Sequence, residues 1–269
     1  MKILITGSNG FLGKELSFYL GQEFEVTSLS RQDVDIANLE ELKVFFKDKY
    51  FDIVLHCAVK GGQRIFQYDS NIVHENIKMF LNISKFSNQY TYLINFGSGA
   101  ELDTRNDLLK KHYVDQQIPE DYYGFSKNII AQLCKLKKNF YNFRIFNVFS
   151  ENEINSKMIK NNILRYINKD SIVIHQDKFM DFMYIEDLVL IIKKFINQEF
   201  EYNEIDCVYE NKLKLSDIAK IINSLNNYKV DVDISNNELG NSYCGMYKNL
   251  KINYIGINDA IKKVYEKLK

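Results

Sequence analysis

The chain has 269 residues, enough to bury a full core as one large α/β domain or as a nucleotide-binding domain with a smaller appendage. Its 35 Lys and Arg residues balance 35 Asp and Glu residues, so no overall charge favours nucleic acid or an anionic membrane as a partner. The 4 cysteines form no CxxC pair, and no apolar run approaches the roughly 20 residues of a membrane span. We therefore expect a cytoplasmic protein with free thiols and no metal site.

Apolar runs of strand length alternate with helical repeats through the first half of the chain. In chain order they predict a strand at 2–5, a helix at 13–20, a strand at 25–29, a helix at 39–49, a strand at 53–57, a helix at 72–87, a strand at 92–96, a helix at 124–138 and a strand at 143–148. This order is typical of βαβ units. It predicts an α/β fold with a doubly wound parallel (Rossmann) sheet.

After about residue 150 the alternation loosens. The pattern predicts a helix at 157–167, a strand at 172–174, a helix at 186–196 and an αβα stretch from residue 215 onward. We therefore expect a Rossmann domain over residues 1–150 and a smaller α/β lobe over residues 151–269, with elements of the two able to interleave. Because no Gly/Ser-rich linker separates them, we expect the two to pack around a shared cleft.

A glycine-rich segment, TGSNGFLG at residues 6–13, lies between the first predicted strand and the first predicted helix. A pyrophosphate needs bare backbone amides at a helix N-terminus, and glycine permits both the tight turn and the close approach. The segment predicts a dinucleotide site, with a purely structural turn as the alternative. Its candidate cofactor contacts are Gly7, Ser8, Asn9, Gly10, Phe11, Leu12 and Gly13.

The residues after the second strand bear on which dinucleotide is bound. An acidic residue there would bind the ribose hydroxyls of NAD, whereas arginine favours the 2′-phosphate of NADP. The strand is followed by Ser30 and Arg31, with Asp33 and Asp35 further on. Because Ser30 and Arg31 can both bind a phosphate, we favour NADP(H), with NAD(H) as the alternative. Arg31 could instead be a solvated surface charge.

A proton-transfer set is predicted at the start of the fourth helix. Tyr123 and Lys127 are four residues apart, which places both on one helix face. A tyrosine hydroxyl has an ordinary pKa near 10, and a neighbouring ammonium lowers that value by stabilising the phenolate. Ser98 ends the fourth strand at the carboxyl edge of the sheet, where it could hydrogen-bond a reacting oxygen. These three residues are the candidate catalytic set for a carbonyl or an alcohol.

Taken together, these motifs resemble the extended short-chain dehydrogenase/reductase family, the NAD(P)-dependent enzymes that act on nucleotide sugars. TGSNGFLG is similar to the family's TGxxGFxG loop, YGFSK to its YxxxK, and Ser98 to its active-site Ser/Thr. Further similar segments, in the family's order, are HCAVKGG at 56–62 (HLAAxxGG), RIFNVF at 144–149 (RxFNVYG) and MDFMYIED at 180–187 (RDFIYVxD). The resemblance covers at least residues 1–190, and its motif pattern is nearest to GDP-fucose synthase-like reductases of 4-keto-6-deoxy nucleotide sugars.

The resemblance also implies contacts that spacing alone does not. Additional cofactor contacts would be Asp35, Ile36, Ala58, Lys60, Asn76, Phe146 and Val148. Substrate contacts would be Gly99, Ala100, Glu101, Asn147 and Lys178, although Glu101 could instead be a solvated loop residue. Relatives place an arginine where this chain has Met180, so Lys178 could take over that arginine's diphosphate contact or be a surface lysine. Family members pair through two helices, here near 72–87 and 124–138, so we expect a homodimer.

Departures from the family pattern narrow the reaction. Dehydratases place Asp-Glu directly after the active-site Ser/Thr, but here Gly99 and Ala100 follow Ser98, and neither can move a proton. GDP-fucose synthases carry a cysteine at the position of Ala100 and a histidine beyond the fifth strand, yet this chain has no histidine between His112 and His175. What remains is hydride transfer at one carbon.

We therefore expect an NADPH-dependent reductase of a 4-keto, 6-deoxy nucleotide sugar that serves surface polysaccharide precursor synthesis. The alternatives are an NAD-dependent nucleotide-sugar 4-epimerase, an oxidoreductase of another small carbonyl compound, and a catalytically inactive NADP(H)-binding regulatory protein.

Overall fold

The computed structural model of the protein describes residues 1–62, 69–105, 107–108, 118–197 and 202–269. Contacts between Cα atoms divide these residues into two compact units. The first unit comprises residues 1–62, 69–103, 118–144 and 202–205, and the second comprises residues 104–105, 107–108, 145–197 and 206–269. The units interleave along the chain, so neither is one continuous segment.

The elements up to residue 145 alternate between strand and helix. They are β1 (Lys2–Thr6), α1 (Phe11–Leu20), β2 (Glu25–Leu29), α2 (Leu39–Phe46), β3 (Phe51–His56), α3 (Asn71–Ser84), β4 (Tyr90–Ser98), a short 3-10 helix (Gly99–Glu101), α4 (Tyr122–Lys135) and β5 (Phe140–Ile145). The later elements are β6 (Val148–Phe149), α5 (Met158–Ile167), β7 (Ile172–Gln176), β8 (Met183–Tyr184), α6 (Ile185–Asn197), β9 (Glu204–Cys207), α7 (Leu215–Asn223), β10 (Val232–Asn236) and α8 (Ile257–Leu268).

Among the described residues, the main sheet has six strands in the order β2-β1-β3-β4-β5-β9. The pairings β1–β2, β1–β3 and β3–β4 are parallel. Strands β1, β3 and β4 are almost fully buried because helices cover both faces of a sheet of this kind, and their sequences therefore read as continuous apolar runs. The predicted doubly wound α/β fold is confirmed.

The register of the central strands brings their carboxyl ends to one edge of the sheet. Thr6 of β1 pairs with His56 of β3, and His56 pairs with Asn95 of β4. Beneath this edge, helices α2, α3 and α4 pack on the strands through a core that includes Leu4, Phe46, Val54, Phe80 and Phe140. The segments that leave β1, β3 and β4 therefore start side by side, which is where open α/β sheets bind ligands.

The second unit has two small parallel ladders. Strand β7 pairs with β10, and β6 pairs with β8. Asp187 in the first turn of α6 is fully buried and accepts hydrogen bonds from the backbone amides of Ile255 (2.8 Å) and Gly256 (3.0 Å). It also accepts from the Tyr209 hydroxyl. This carboxylate therefore fixes the chain that enters α8.

Two parts of the predicted pattern were wrong. The predicted strand at 143–148 is instead the end of β5 and, after a break at residues 146–147, the separate strand β6, which joins a different ladder. Strand β9 was not predicted, because it has only four residues and two of them, Glu204 and Asp206, are charged. None of the helices in the described part of the chain has the length and apolar character that a membrane crossing requires.

Candidate active site

The glycine-rich turn joins β1 to α1, as predicted, and two of its glycines are required by sterics. Gly7 has a φ of 70°, and a Cβ there would lie 2.6 Å from the Ala58 backbone. A Cβ at Gly13 would collide with the carbonyl oxygen of Gly7. Gly10 is the N-cap of α1, and its amide donates to the Gly7 carbonyl at 2.9 Å. A side chain at Gly7 or Gly13 would therefore force the turn apart.

The start of α1 fits an anionic group. Within the described residues no side chain caps this helix, and its first turn carries no acidic residue. The first amides of a helix have no partner inside the helix and carry partial positive charge. Around them Ser8 is buried, Asn9 is exposed, and Phe11 and Leu12 are partly exposed. The residues present therefore fit the pyrophosphate of a dinucleotide.

The end of β2 differs in part from the expected phosphate site. The Ser30 amide and hydroxyl both donate to the Asp33 carboxylate, at 2.9 and 2.6 Å, and these bonds hold the pKa of Asp33 below its ordinary value. The amide and hydroxyl of Ser30, which were expected to bind a 2′-phosphate, therefore donate to Asp33 instead. The Arg31 side chain is 68% exposed and lies 3.3 Å from Asp35, so its guanidinium remains accessible.

Asn76 has a bridging role that its position in the family motif did not reveal. Its side-chain oxygen accepts from the Lys60 amide (2.8 Å), and its Nδ2 donates to the Lys60 carbonyl (3.0 Å) and the Ser126 hydroxyl (3.0 Å). The amide group is therefore occupied in tying the segment after β3 to α4. Of two other predicted cofactor contacts, Ala58 is partly exposed and Ile36 is buried.

Tyr123 and Lys127 lie on α4 one turn apart, as their spacing predicts. Tyr123 is partly exposed in the first turn, and its ring packs against Gly62, where an added Cβ would lie 3.2 Å from the phenolic carbon and oxygen. The neighbouring Tyr122 is 47% exposed. Gly62 has a φ of 90°, so glycine is favoured there by its backbone as well as by this contact.

Lys127, one turn after Tyr123, is buried. Its Nζ donates to the Phe96 carbonyl at 2.7 Å, near the end of β4. Burial lowers the pKa of Lys127 below its ordinary value, and the Glu101 carboxylate acts in the opposite direction. Lys127 follows Tyr123 by one helical turn on α4, and a cation near a tyrosine hydroxyl stabilises its phenolate.

Ser98 ends β4 and caps the short 3-10 helix that follows. Its hydroxyl oxygen accepts from the Ala100 amide at 3.1 Å, which leaves the hydroxyl hydrogen able to donate. Gly99 is buried and Ala100 is partly exposed. A Cβ at Gly124 of α4 would collide with the Ala100 carbonyl, so the loop and the start of α4 pack closely.

Glu101 is not a solvated loop residue, because it is enclosed by the protein. Its side chain is fully buried, and its Oε1 accepts from the Ser98 amide at 2.7 Å. Its Oε2 accepts from Asn142 Nδ2 (2.9 Å) and Arg144 Nε (3.0 Å). Burial raises the pKa of Glu101, and Arg144 opposes that rise. Because both oxygens accept and neither donates, the pattern is that of an ionised carboxylate.

The second unit contains the other predicted contacts. Phe146 is buried and Val148 is partly exposed. Asn147 Nδ2 donates to the Asp181 carbonyl at 2.8 Å, so its amide helps to hold the segment before β8. Lys178 is partly exposed, and its carbonyl accepts from the Leu215 amide at 3.0 Å.

Sequence reasoning missed the polar residues beneath the loop. Arg144 was seen as part of a motif, but its partners were not identified. The sequence could have indicated such a partner, because an arginine inside a buried strand requires a carboxylate. His56 is buried beside Thr6, with 2.9 Å between Nδ1 and Oγ1, and burial lowers its pKa to about 3.

Comparison with known proteins identifies the family of the chain. The model of the NAD dependent epimerase/dehydratase family matches residues 3–206, which is most of the chain. The chain therefore belongs to that family, as the resemblance implied. A sequence search of curated proteins finds no match.

Several solved structures share the fold at low sequence identity. The GDP-mannoheptose C4 reductase of Campylobacter jejuni with NADP bound has a TM-score of 0.80 and 19% identity, over 98% of this chain and 97% of that one. The GDP-L-fucose synthetase of Naegleria fowleri bound to NADP has a TM-score of 0.77 and 17% identity, over 98% and 91%. The UDP-glucuronic acid 4-epimerase of Bacillus cereus in complex with UDP-glucuronic acid and NAD has a TM-score of 0.74 and 16% identity, over 100% of both chains.

Proposed function

We propose that the protein is an NADPH-dependent reductase of a 4-keto-6-deoxy nucleotide sugar. The observation that carries the proposal is the composition of the loop after β4. Ser98 is followed by Gly99 and Ala100, which cannot move protons, while Glu101 is buried and bonded internally. This leaves Tyr123 on α4 as the proton donor, suited to a reaction at one carbonyl.

The bound dinucleotide would supply the hydride to the carbonyl carbon. The Tyr123 hydroxyl would donate its proton to the alkoxide that forms, and the buried Lys127 ammonium would stabilise the phenolate left behind. The Ser98 hydroxyl would donate a hydrogen bond to the same oxygen and hold it in place. These roles need only Ser98, at the end of β4, and Tyr123 and Lys127, in the first two turns of α4.

NADP(H) is the cofactor we favour, with NAD(H) as the alternative. The exposed guanidinium of Arg31 follows β2, where a 2′-phosphate would lie in this kind of fold. The similar Campylobacter and Naegleria enzymes are both described with NADP, whereas the Bacillus epimerase is described with NAD. An epimerase retains its NAD through the reaction, so the cofactor also separates the two activities.

The first experiment identifies the nucleotide that purified protein carries. Protein is denatured, and the supernatant is analysed by chromatography for NAD and NADP. We expect either NADP or an empty site, because a reductase exchanges its cofactor in every cycle. Tightly bound NAD would contradict the reductase and favour the 4-epimerase.

The second experiment measures turnover. Protein is incubated with NADPH and with GDP-, dTDP-, CDP- and UDP-linked 4-keto-6-deoxy sugars, and absorbance at the NADPH band is followed. Tyr123→Phe should abolish oxidation of NADPH, whereas Tyr122→Phe, a matched change at an exposed neighbour, should leave it unchanged. If wild type and Tyr123→Phe are equally inert across the panel, the catalytic assignment is wrong, and an NADP(H)-binding regulatory protein or a reductase of another carbonyl compound takes its place.

The proposal includes a cytoplasmic homodimer that supplies a surface polysaccharide precursor. Leu81 of α3 is 41% exposed, and Leu136, the residue directly after α4, is 79% exposed; a pairing through these helices would cover both side chains. Sedimentation of the protein at several concentrations tests the dimer, and a purely monomeric species would contradict it.

A further inference from the structure

A buried carboxylate lies directly beneath the proposed catalytic serine and is not used by the proposed reaction. Glu101 has no exposed surface, although it follows the proposed catalytic residue Ser98 by only three positions. Burying a charge is unfavourable unless hydrogen bonds and an opposite charge compensate. The groups that Glu101 bonds to should therefore explain why a carboxylate is buried at this position.

Glu101 and Ser98 form a capping box at the start of the short 3-10 helix. The Oε1 of Glu101 accepts from the Ser98 amide at 2.7 Å. The Ser98 hydroxyl in turn accepts from the backbone of the same loop, at 3.1 Å from the Ala100 amide. The bond to a carboxylate is charge-assisted and therefore stronger than a bond between neutral groups. The orientation of Ser98 thus depends on where the Glu101 carboxylate sits.

The carboxylate is fixed in turn by β5. Asn142 and Arg144, two residues apart on the same face of that strand, both donate to Oε2. The other side of the Arg144 guanidinium lies 2.8 Å from Glu204 of β9. Asn142 is also anchored, because its Oδ1 accepts from Asn95 of β4 at 2.7 Å.

The same residue is connected to the catalytic helix. Asn128, which follows Lys127 on α4, donates from Nδ2 to the Glu101 carbonyl at 2.9 Å. A Cβ at Gly97 would collide with Glu101 Oε1 and lie 2.7 Å from Asn142 Oδ1, so the end of β4 has no space to shift. Strands β4 and β5 therefore bond to the side chain of Glu101, and helix α4 bonds to its backbone carbonyl.

We infer that Glu101 is a positioning residue that orients Ser98 to donate a hydrogen bond to the substrate oxygen, with Arg144 as the cation that fixes it. The inference rests on the proposed function, because it assigns Ser98 a role in the reaction. Glu101 does not touch the substrate. It acts through Ser98.

The test is a double-mutant cycle. Glutamine at position 101 has one acceptor oxygen, so it cannot accept from Ser98 and from Arg144 as the carboxylate does. We expect Glu101→Gln to lower kcat by about tenfold or more, the size of a lost charge-assisted hydrogen bond, and to leave the KM for NADPH within about twofold. In the Ser98→Ala background the same change should cost at least fivefold less than in wild type, since the group it positions is gone.

The matched control is Glu204→Gln, which removes the other carboxylate beside Arg144 without touching Ser98. Its effect on kcat should be small and equal in both backgrounds. Equal loss from Glu101→Gln in the two backgrounds, or no loss at all, would overturn the inference. If Glu101→Gln does not fold, Arg144→Lys keeps the charge but withdraws the guanidinium from Oε2, and the same cycle applies.

A second measurement does not depend on turnover. Amide hydrogen exchange of a peptide spanning residues 96–102 should be faster in Glu101→Gln and unchanged in Glu204→Gln. Unchanged exchange in both would overturn the positioning role, even if wild type proved inert. Faster exchange only in Glu101→Gln, together with an inert wild type, would keep the contact to Ser98 and contradict the proposed reaction instead.

Discussion

Glu153 provides a sensitive test of how burial governs the stability of the second unit. The side chain is 5% exposed, and among the described residues its Oε1 has no hydrogen-bond partner. The ammonium of Lys160 is close by, but it donates to the backbone carbonyls of Glu151 (2.7 Å) and Glu153 (2.6 Å) and not to the carboxylate. Burial therefore raises the pKa of Glu153 to about 8, with Lys157 and Lys160 opposing the rise.

The direction of the effect follows from the two pKa values. A carboxyl whose pKa is higher in the folded protein holds its proton more tightly there than in the unfolded chain. Its contribution to stability is complete below the ordinary value of 4.5 and is lost as the pH rises towards 8. At about 1.4 kcal/mol for each pH unit between the two values, ionising the buried group costs about 5 kcal/mol in full.

Glu153→Gln removes this titration while it preserves the shape of the side chain. We expect the stability of the variant relative to wild type to rise by about 4 kcal/mol between pH 5 and pH 9, with more than half of the gain complete by pH 7. Urea unfolding followed by circular dichroism at pH 5, 7 and 9 measures it, and other titrations cancel in the difference. Glu266→Gln, the same substitution at an exposed position of α8, is the matched control for the chemical change alone. A difference that stays flat or falls with pH for Glu153→Gln would refute the reasoning.

Three further predictions concern the site and its support. Gly62→Ala should lower kcat/KM by about tenfold, because its Cβ would press on the Tyr123 ring, and more than Gly61→Ala, which has a similar φ of 92° and so controls for backbone strain. Asp33→Ala should lower the KM for NADPH relative to that for NADH, since it frees the Ser30 amide and hydroxyl; an unchanged ratio in steady-state assays would show that Ser30 does not bind phosphate. Asp187→Asn should reduce the free energy of unfolding by about 2 to 3 kcal/mol, because the buried carboxylate accepts from Ile255 and Gly256, and urea unfolding near wild-type values would contradict this.

Local spacing was sufficient for most of the fold and for the outline of the site. The glycine turn, the Tyr123–Lys127 pair and Ser98 at the end of β4 each depend on neighbours within a few residues, and a strand, turn or helix sets those distances whatever the rest of the chain does. The alternation of strand and helix similarly determines a parallel sheet, because parallel neighbours require a crossover between them. The extent of the main sheet was harder to predict, since β9 is short and charged and joins the edge only because β5 offers a free side there.

Tertiary structure decided which of the candidate residues are available to a ligand. The sequence left Glu101 as a ligand or a solvated residue, and it became a buried internal group only because β4 and β5 are adjacent, which brings it to Arg144, 43 residues away. Ser30 and Asn76 likewise fitted a cofactor role by their position in the sequence. In the structure Ser30 bonds to Asp33, and Asn76 bonds to Lys60 and Ser126. Hydrogen bonds between distant segments depend on how strands and helices are placed in three dimensions, and a polar residue can serve either a ligand or its own protein. The sequence predicted where the candidate site lies, and the packing of β4, β5 and α4 determined which of its polar side chains bond within the protein.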